Sequence, residues 1–238
     1  MNNHDFKNEI PEDVFEFDAL KEARNYRKAL IKEFFNELRG RVIEIGAGIG
    51  QMTELLKKLP NIEFLQCVES NFDISNIFRR NFPLQPLING TIQDIKTDDW
   101  NAVISVNVLE HIFDDKAELK IYYEKLKRKN GTLNLFVPAR PEIYSIIDKN
   151  FGHYRRYTKK EIIKKLTVAG FKIEKIRYFN IIGYFAWWFN FRIMKKKSFD
   201  AKSVRLFDKL FFPPIYFLES RILTPPIGQS LLVIARAK

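Results

Sequence analysis

The chain has 238 residues, a length that suits one domain with an elaboration. Hydrophobic residues make up 46% of it, and the single cysteine, Cys67, excludes an internal disulfide and a zinc site built from cysteines. The net charge of +11 is uneven, because residues 1–150 carry 21 basic and 24 acidic side chains whereas residues 151–238 carry 19 and 5. The cationic second part indicates an anionic partner (phosphorylated substrate, nucleic acid or membrane surface) or a merely well-solvated face.

The predicted elements follow one another as a loose arm, a helix, and then alternating strands and helices. Predicted strands span residues 42–45, 64–68, 87–88, 102–106, 132–137, 171–178 and 231–235. Predicted helices span residues 17–38, 51–59, 72–82, 115–127 and 159–169, with Gly40 as a helix stop and Thr158 with Glu161 as a capping box. This alternation predicts an α/β fold with a doubly wound, seven-stranded, mostly parallel sheet.

Four regions follow from this pattern. Residues 1–40 form an N-terminal arm and helix, and residues 41–178 form an α/β core that binds a cofactor. Residues 179–230 contain many of the aromatic residues and interrupt the alternation of strands and helices, so we expect a helical insertion or lid. Residues 231–238 supply the final strand of the core sheet.

The stretch RVIEIGAGIG at residues 41–50 places a glycine turn between a buried strand and a helix. Such a turn brings backbone amides close to a nucleotide-type ligand. Dinucleotides favour the spacing G-x-G-x-x-G, but the third glycine would fall at Gln51. Glu69 ends the second strand, 23 residues after Gly46, where a carboxylate can accept both ribose hydroxyls. These residues alone leave three interpretations open: a dinucleotide, another adenosine-type ligand, or a turn in which glycine only permits tight packing.

Taken together, these motifs resemble class I S-adenosylmethionine-dependent methyltransferases. The resemblance rests on VIEIGAGIG at 42–50, the acid Glu69, GTIQD at 90–94 and AVISVNVLEHI at 102–112. The last motif is typical of a subgroup that includes small-molecule methyltransferases. The family often has Asp where this chain has Thr91, which weakens the inference for the adenine contacts.

The resemblance implies a Rossmann-like methyltransferase fold, S-adenosyl-L-methionine as cofactor and a set of binding residues. The glycine turn would pass under the methionine part, Glu69 would bind the ribose diol, and Asn107 would lie beside the sulfonium. Glu44 would order waters or the amino group, residues 90–94 would flank the adenine, and Tyr26 would close over the carboxylate end or be only a core aromatic. The implied cofactor-binding residues are Tyr26, Glu44, Gly46, Ala47, Gly48, Glu69, Ser70, Thr91, Ile92, Gln93, Asp94, Asn107 and Val108.

Candidate catalytic residues come from the histidines and one arginine. His153 lies in FGHYRRY, between the fifth strand and the next helix, where loops line the ligand crevice of an open sheet. An imidazole suits a general base, and Arg155 beside it suits a carboxylate or phosphate. The alternative is that this segment only shapes the loop and caps the helix. His111 of NVLEHI either supports a loop or takes part in catalysis.

We predict no metal site. Asp114 and Asp115 follow the fourth strand, but their pattern is that of a helix start, where acids favour the helix dipole.

The insertion supports several interpretations. Residues 181–197 combine aromatic side chains with Arg192 and three lysines, a pattern that suits a membrane surface and a lipid-linked acceptor. A lid over an apolar site, a homodimer interface and a small subdomain with its own core are alternatives. No signal peptide pattern is visible, and the longest apolar run has 11 residues where a bilayer span needs about 20, so we expect a cytoplasmic protein, peripheral at the inner membrane surface at most.

The sequence therefore predicts a methyltransferase that acts on a small or lipid-linked acceptor, at oxygen. One alternative is an NAD(P)-dependent oxidoreductase on the same fold. The other is a non-catalytic basic module, although nucleic acid is not an expected partner, because the basic residues alternate with large apolar ones.

Overall fold

The computed structural model describes residues 22–196 and 201–238 of the chain. Its strands are β1 Gly40–Ile45, β2 Ile62–Glu69, β3 Leu87–Asn89, β4 Ala102–Val106, β5 Thr132–Pro138, β6 Phe171–Phe179 and β7 Ser230–Ala237. Its α-helices are α1 Arg24–Phe34, α2 Thr53–Leu56, α3 Phe72–Asn81, α4 Asp115–Leu126, α5 Ile146–Asn150, α6 Lys159–Ala169, α7 Ile181–Trp187, α8 Ala201–Leu206 and α9 Phe212–Arg221. Two π-helical segments, Trp188–Ile193 and Phe207–Phe211, follow α7 and α8.

The seven strands form one sheet in the order β3-β2-β1-β4-β5-β7-β6. The pairs from β3 to β5 are parallel, and β7 runs antiparallel to both β5 and β6. The strand order reverses between β1 and β4, so the carboxyl ends of these strands open the crevice in which such sheets bind ligands. The fold predicted from the sequence, a seven-stranded and mostly parallel sheet, is confirmed.

Helices cover both faces of the sheet because its central strands are apolar on both sides. One face packs against α4 and α6 through residues such as Leu119, Tyr122 and Leu166. The other face packs against α1, α3 and α9, with Phe34 and Phe78 fully buried. This second layer matters for function, because α1 extends from it to the carboxyl ends of β1 and β4.

Some predicted boundaries differ from the structure. Within the described residues the first helix ends at Phe34, and Gly40, predicted as its stop, instead begins β1 with φ +62°; predicted positions 17–21 lie outside the described residues. The hydroxyl of Thr158 accepts from the Glu161 backbone N–H at 3.1 Å, as predicted. The Glu161 carboxylate pairs with Lys165 at 2.9 Å, an i,i+4 contact, so the other half of the predicted capping box is replaced.

The segment between β6 and β7 is helical in its described part. Asp208, in its second π-helical segment, accepts from the backbone N–H groups of Asn25 and Tyr26, both at 2.8 Å. Glu219 of α9 accepts from the backbone N–H groups of Asn180 and Ile181, at 2.9 and 2.6 Å. Asp208 therefore caps the first turn of α1 and fixes the insertion to the core, whereas Glu219 caps the first turn of α7 and joins the two halves of the insertion.

None of the helices in the described ranges combines the length and the apolar composition that a membrane crossing requires.

Candidate active site

The glycine turn follows β1, and its backbone is hydrogen-bonded to the end of β2. The N–H groups of Gly46 and Ala47 both donate to the Val68 carbonyl, at 2.9 and 3.0 Å. Gly46 has φ +69°, and a Cβ atom there would lie 2.4 Å from Cγ2 of Val108. Glycine is therefore required at 46 both for its conformation and for the close approach of the loop after β4.

The carboxylate of Glu69 is held at the edge of this turn. Its Oε2 accepts from the Gly48 N–H and its Oε1 from the Asn71 N–H, both at 2.9 Å. The side chain is nearly buried, at 8% exposure. Each oxygen keeps a second lone pair, so this orientation leaves acceptors for the two hydroxyls of a ribose.

A cavity of about 370 Å³, here the turn cavity, lies beside the glycine turn. It is closed on one side by α1 and on the other by the loop after β4. Nine of the residues predicted for cofactor binding or catalysis line it: Tyr26, Gly46, Ala47, Gly48, Glu69, Ser70, Asn107, Val108 and His111. The exposed backbone of the glycine turn and the two carboxylate oxygens of Glu69 fit an adenosine-type ligand whose ribose hydroxyls donate hydrogen bonds to a carboxylate.

Five other predicted cofactor residues do not line the turn cavity. The Glu44 carboxylate accepts from Thr53 Oγ1 at 2.6 Å and from Cys67 Sγ at 3.4 Å, between β1 and the helix layer. Burial raises the pKa of Glu44 to about 7 despite these bonds. Thr91, Ile92, Gln93 and Asp94 form a short turn after β3.

In that turn, the Asp94 carboxylate accepts from the Thr91 backbone N–H at 2.8 Å, and Ile92 is fully buried in the core. The side chains of Thr91, Gln93 and Asp94 are exposed. The turn lies at the same sheet edge as Glu69, since the Gly90 N–H donates to the Glu69 carbonyl at 3.0 Å. Adenine contact by this turn stays a prediction.

A second cavity of about 420 Å³, here the insertion cavity, adjoins the first. The two share Ala23, Tyr26, Asn107 and Phe151 in their walls. Its remaining walls come from the insertion and from the loops after β4 and β5, and they mix aromatic side chains with polar ones. Two adjoining cavities of this kind can hold two reactants side by side.

His153 lies in the wall of the insertion cavity with one ring nitrogen fixed. Its Nδ1 lies 3.1 Å from Oδ1 of Asp148, the only hydrogen-bond partner of that ring nitrogen among the described residues. Its Nε2 is buried and has no hydrogen-bond partner in the described part of the chain. The imidazole can therefore donate from Nδ1 to the carboxylate and keep Nε2 as an acceptor.

Asp148 is itself oriented by its neighbours. Its Oδ1 also accepts from Nε of Arg156 at 2.7 Å, and its Oδ2 accepts from the backbone N–H of Ser145 at 2.8 Å. Burial raises the pKa of Asp148, but the bonds from His153 and Arg156 outweigh it and hold that pKa below its usual value. Asp148 is thus a carboxylate at neutral pH.

His111 stacks edge-on against His153, with ring centroids 4.6 Å apart. Burial first, and then repulsion from His153, lower the pKa of His111 to about 4, so it is neutral at physiological pH. A neutral imidazole of this low basicity suits an orienting role better than that of a general base. Glu110 Oε1 lies 3.9 Å from His153 Nε2, close enough to stabilise a protonated ring.

Arg155, predicted as a catalytic residue, lines neither cavity. Its guanidinium pairs with Asp115 at 2.8 Å and donates to the Phe113 carbonyl at 2.9 Å. A catalytic role for Arg155 stays a prediction, although its side chain points away from both cavities because neighbouring side chains in this extended loop point apart. Arg156 is the one that lines the insertion cavity, where its guanidinium lies 4.4 Å from the Trp187 ring.

The acids weighed for a metal site are engaged elsewhere. Asp115 accepts from Tyr157 Oη at 2.9 Å and pairs with Arg155 and Lys165. Another group was not anticipated: one ligand atom each from Glu110, His111 and His153 lie within 4.8 Å of one another, a spacing that a cation could bridge. Any role assigned to His153 must be tested against this arrangement.

Asp148, Arg156 and Glu110 are the functional candidates that sequence reasoning missed. Asp148 lies in the short helix α5, and His153 lies in the loop that follows it, so their spacing of five residues does not predict a contact until the path of that loop is known. Glu110 lies inside the NVLEHI motif, where the sequence pattern singles out only its neighbour His111 as a candidate.

A family model described as a methyltransferase domain matches residues 19–176 of the chain. No curated protein matches it. Similar solved structures include SAM-dependent methyltransferases from Thermotoga maritima (17% identity, TM-score 0.65, 94% of this chain and 96% of that chain) and Archaeoglobus fulgidus (16%, 0.57, 90% and 94%). An S-adenosylmethionine-dependent methyltransferase from Mesorhizobium loti is similar over 87% of this chain and 97% of its own, at 12% identity and a TM-score of 0.59. At these identities the structural likeness shows the shared fold.

Proposed function

The chain belongs to the methyltransferase-domain family and is a class I S-adenosylmethionine-dependent methyltransferase, and from that premise we propose that it methylates a hydroxyl oxygen of a small or lipid-linked acceptor. The observation that carries this proposal is the Asp148–His153 pair in the wall of the insertion cavity, where the second ring nitrogen of His153 is buried and has no hydrogen-bond partner among the described residues. Family membership decides against the NAD(P)-dependent oxidoreductase and the non-catalytic basic module.

The cofactor would be held in the turn cavity. Backbone groups of Gly46 to Gly48 and the carboxylate of Glu69 fit its polar parts, and α1 covers them with Tyr26. S-adenosylmethionine supplies an electrophilic methyl group on a good leaving group. The protein has to place the acceptor oxygen in line with that methyl group and exclude water.

The acceptor would lie in the insertion cavity, next to the shared wall at Asn107. His153 Nε2 accepts the hydroxyl proton as the oxygen attacks, and the proton ends on the imidazole. Asp148 stabilises the resulting imidazolium through Nδ1, and Arg156 keeps Asp148 in place. Trp187 and Phe191 supply apolar wall that limits water in this cavity.

A base of this kind favours oxygen as the acceptor atom. An alcohol or phenol must lose its proton to become a strong nucleophile, whereas a neutral amine already carries a free lone pair. The fixed His153–Asp148 pair supplies what the hydroxyl needs and an amine does not.

Methyl transfer from labelled S-adenosylmethionine to a matched alkylphenol and alkylaniline tests the proposal. We expect transfer to the phenol, and a drop in kcat of roughly 10² to 10⁴ in His153→Gln with an unchanged Kd for the cofactor by calorimetry. Tyr154→Phe, next in the chain and 56% exposed, is the matched control and should keep full turnover. Full turnover in His153→Gln, or transfer to the aniline alone, would contradict the proposal.

A chelator separates the base from a metal ligand. The wild-type enzyme should keep its activity after treatment with EDTA and dialysis. Loss of activity that a divalent cation restores would instead make Glu110, His111 and His153 its ligands and remove the base role from His153.

A further inference from the structure

The first half of the insertion presents an apolar stripe to solvent. Its inner face is buried at Gly183, Trp187 and Phe191, which recur every four residues and pack onto the core. The outward side chains recur every three or four residues and are 41% to 53% exposed: Ile182, Phe185, Phe189 and Ile193. Trp188 adds a further ring at 43% exposure.

The second half repeats this arrangement. From α8 to the end of α9, apolar side chains at steps of four residues or multiples of four are 44% to 65% exposed: Leu206, Leu210, Leu218 and Ile222. Phe211, Phe217 and Leu223 widen this stripe at 53% to 59% exposure. Exposed apolar area of this extent on one structural unit indicates an interaction surface.

The charge on this surface has a single sign in the described part of the insertion. Its two described acids, Asp208 and Glu219, are 4% and 7% exposed and bind backbone N–H groups. Its exposed charged residues are all basic: Arg192, Lys195, Lys196, Lys202, Arg205, Lys209 and Arg221. Arg205 has one weak ion pair with Glu22, at 3.5 Å, and the net charge of the exposed residues in this part of the insertion is positive.

We propose that the insertion docks on an anionic lipid surface. Aromatic and aliphatic side chains beside lysine and arginine match the interface of a bilayer, where rings insert at headgroup level and cations pair with phosphates. Basic residues near an anionic leaflet are attracted by its negative surface potential, and the apolar stripes add burial that a nucleic acid would not provide.

The docked orientation would bring the insertion cavity to the membrane. Among the described residues, three exposed ones line that cavity, and two of them, Lys196 and Ser203, belong to the insertion. The third, Asn107, lies at the wall shared with the turn cavity. The outer mouth is therefore bounded by the docking element, and, resting on the proposed function, this favours a lipid-linked acceptor over a freely soluble one.

Sedimentation with vesicles tests the docking without any need for the acceptor. We expect the full chain to bind vesicles of phosphatidylcholine with about one third phosphatidylglycerol, to bind phosphatidylcholine alone far less, and to dissociate as salt rises. The double variant Phe185→Ser, Phe189→Ser should lose at least about tenfold in vesicle affinity.

Leu84→Ser is the matched control. Leu84 is 94% exposed and precedes β3, the strand at the sheet edge opposite β6, so its loss should leave vesicle binding within about twofold. Cofactor calorimetry on the same variants should show unchanged binding, which separates failure of the docking from failure of the methyltransferase site.

Three outcomes would overturn the docking. The first is equal binding to neutral and anionic vesicles, or none to either. The second is light scattering in which the double variant turns a dimer into a monomer, which would make the stripes an interface between copies of this chain. The third is salt-sensitive RNA binding that Phe185→Ser, Phe189→Ser leaves intact while vesicles are not bound.

Discussion

Oδ1 of Asp148 lies 3.1 Å from Nδ1 of His153 and 2.7 Å from Nε of Arg156. One carboxylate oxygen thus orients a histidine and is itself fixed by a buried arginine. Such an arrangement selects the tautomer of the imidazole and stabilises its protonated form. In the proposed reaction Asp148 is a positioning residue, since it acts through His153.

Asp148→Asn should lower kcat roughly tenfold to a thousandfold while KM and cofactor affinity change little. The loss should fall on kcat, because Asp148 acts on the acceptor only through the imidazole that takes the proton. Methyl-transfer rates measured over a range of acceptor concentrations separate kcat from KM. A rise in KM or a loss of cofactor affinity that matches the loss in kcat would mean that Asp148 has only a structural role through Arg156 and Ser145.

Glu69→Gln should weaken S-adenosylmethionine binding about tenfold to a hundredfold, because a bond to a charged acceptor contributes roughly 1.5–3 kcal/mol. The amide oxygen can still accept from the Gly48 N–H, so the turn itself should survive. Calorimetry of the folded variant measures the loss. Asp73→Asn, an exposed acid four residues further on, is the control and should bind normally. Equal affinities in all three proteins would remove Glu69 from the cofactor site.

The sequence predicts the glycine turn with Glu69 better than it predicts the Asp148–His153 pair, and the reason is physical. Glu69 and Gly46 follow from a strand–turn–helix pattern, whose geometry is local and recurs whenever the pattern does. Asp148 lies in the five-residue helix α5 and His153 in the irregular loop after it, so their spacing of five residues carries no geometric information. The same absence of periodicity made Arg155 and Arg156 indistinguishable until the loop path was known.

The alternation of side chains along β1 does predict which face of the sheet Glu44 lies on. Side chains alternate across a strand, so Glu44 must lie on the opposite face from Ile43 and Ile45, which pack against α4 and α6. Its bond to Thr53 on the other face follows from this alternation. The capping of α1 by Asp208 joins positions 182 and 183 residues apart, and no local pattern predicts a contact of that range.

Glu44 should make stability fall with rising pH. Burial raises its pKa in the folded chain to about 7, above its ordinary value near 4.5, so the folded state binds the proton more tightly than the unfolded state. The contribution of Glu44 to the free energy of unfolding is therefore greatest below about pH 4.5. It decreases by about 3 kcal/mol as the pH rises to 7 and is constant above that.

Urea denaturation of wild type and Glu44→Gln at several pH values between 5 and 8 measures this effect. The glutamine carries no charge at either end of the range, so its curve should lack the decrease that wild type shows. Parallel curves for the two proteins would assign the decrease to groups other than Glu44. His111 is not one of them, because a histidine pKa lowered by burial to about 4 makes stability rise, not fall, as the pH increases.

Asp208→Ala should weaken cofactor binding from a position inside the insertion. The Asp208 carboxylate is the acceptor for the first backbone N–H groups of α1, and that helix supplies Tyr26 to both cavities. Loss of the cap should cost about 1–2 kcal/mol of stability and free the start of α1, so that cofactor affinity falls several-fold.

Thr158→Ala is the matched control for Asp208→Ala, because Thr158 caps α6 through the Glu161 N–H and lines neither cavity. Both variants should unfold at lower temperature by calorimetry, but only Asp208→Ala should raise the Kd for S-adenosylmethionine. Asp208→Asn, which keeps one acceptor oxygen, should lie between Asp208→Ala and wild type. An unchanged Kd in Asp208→Ala would show that α1 holds its place without the insertion, and the insertion would then serve the acceptor side alone.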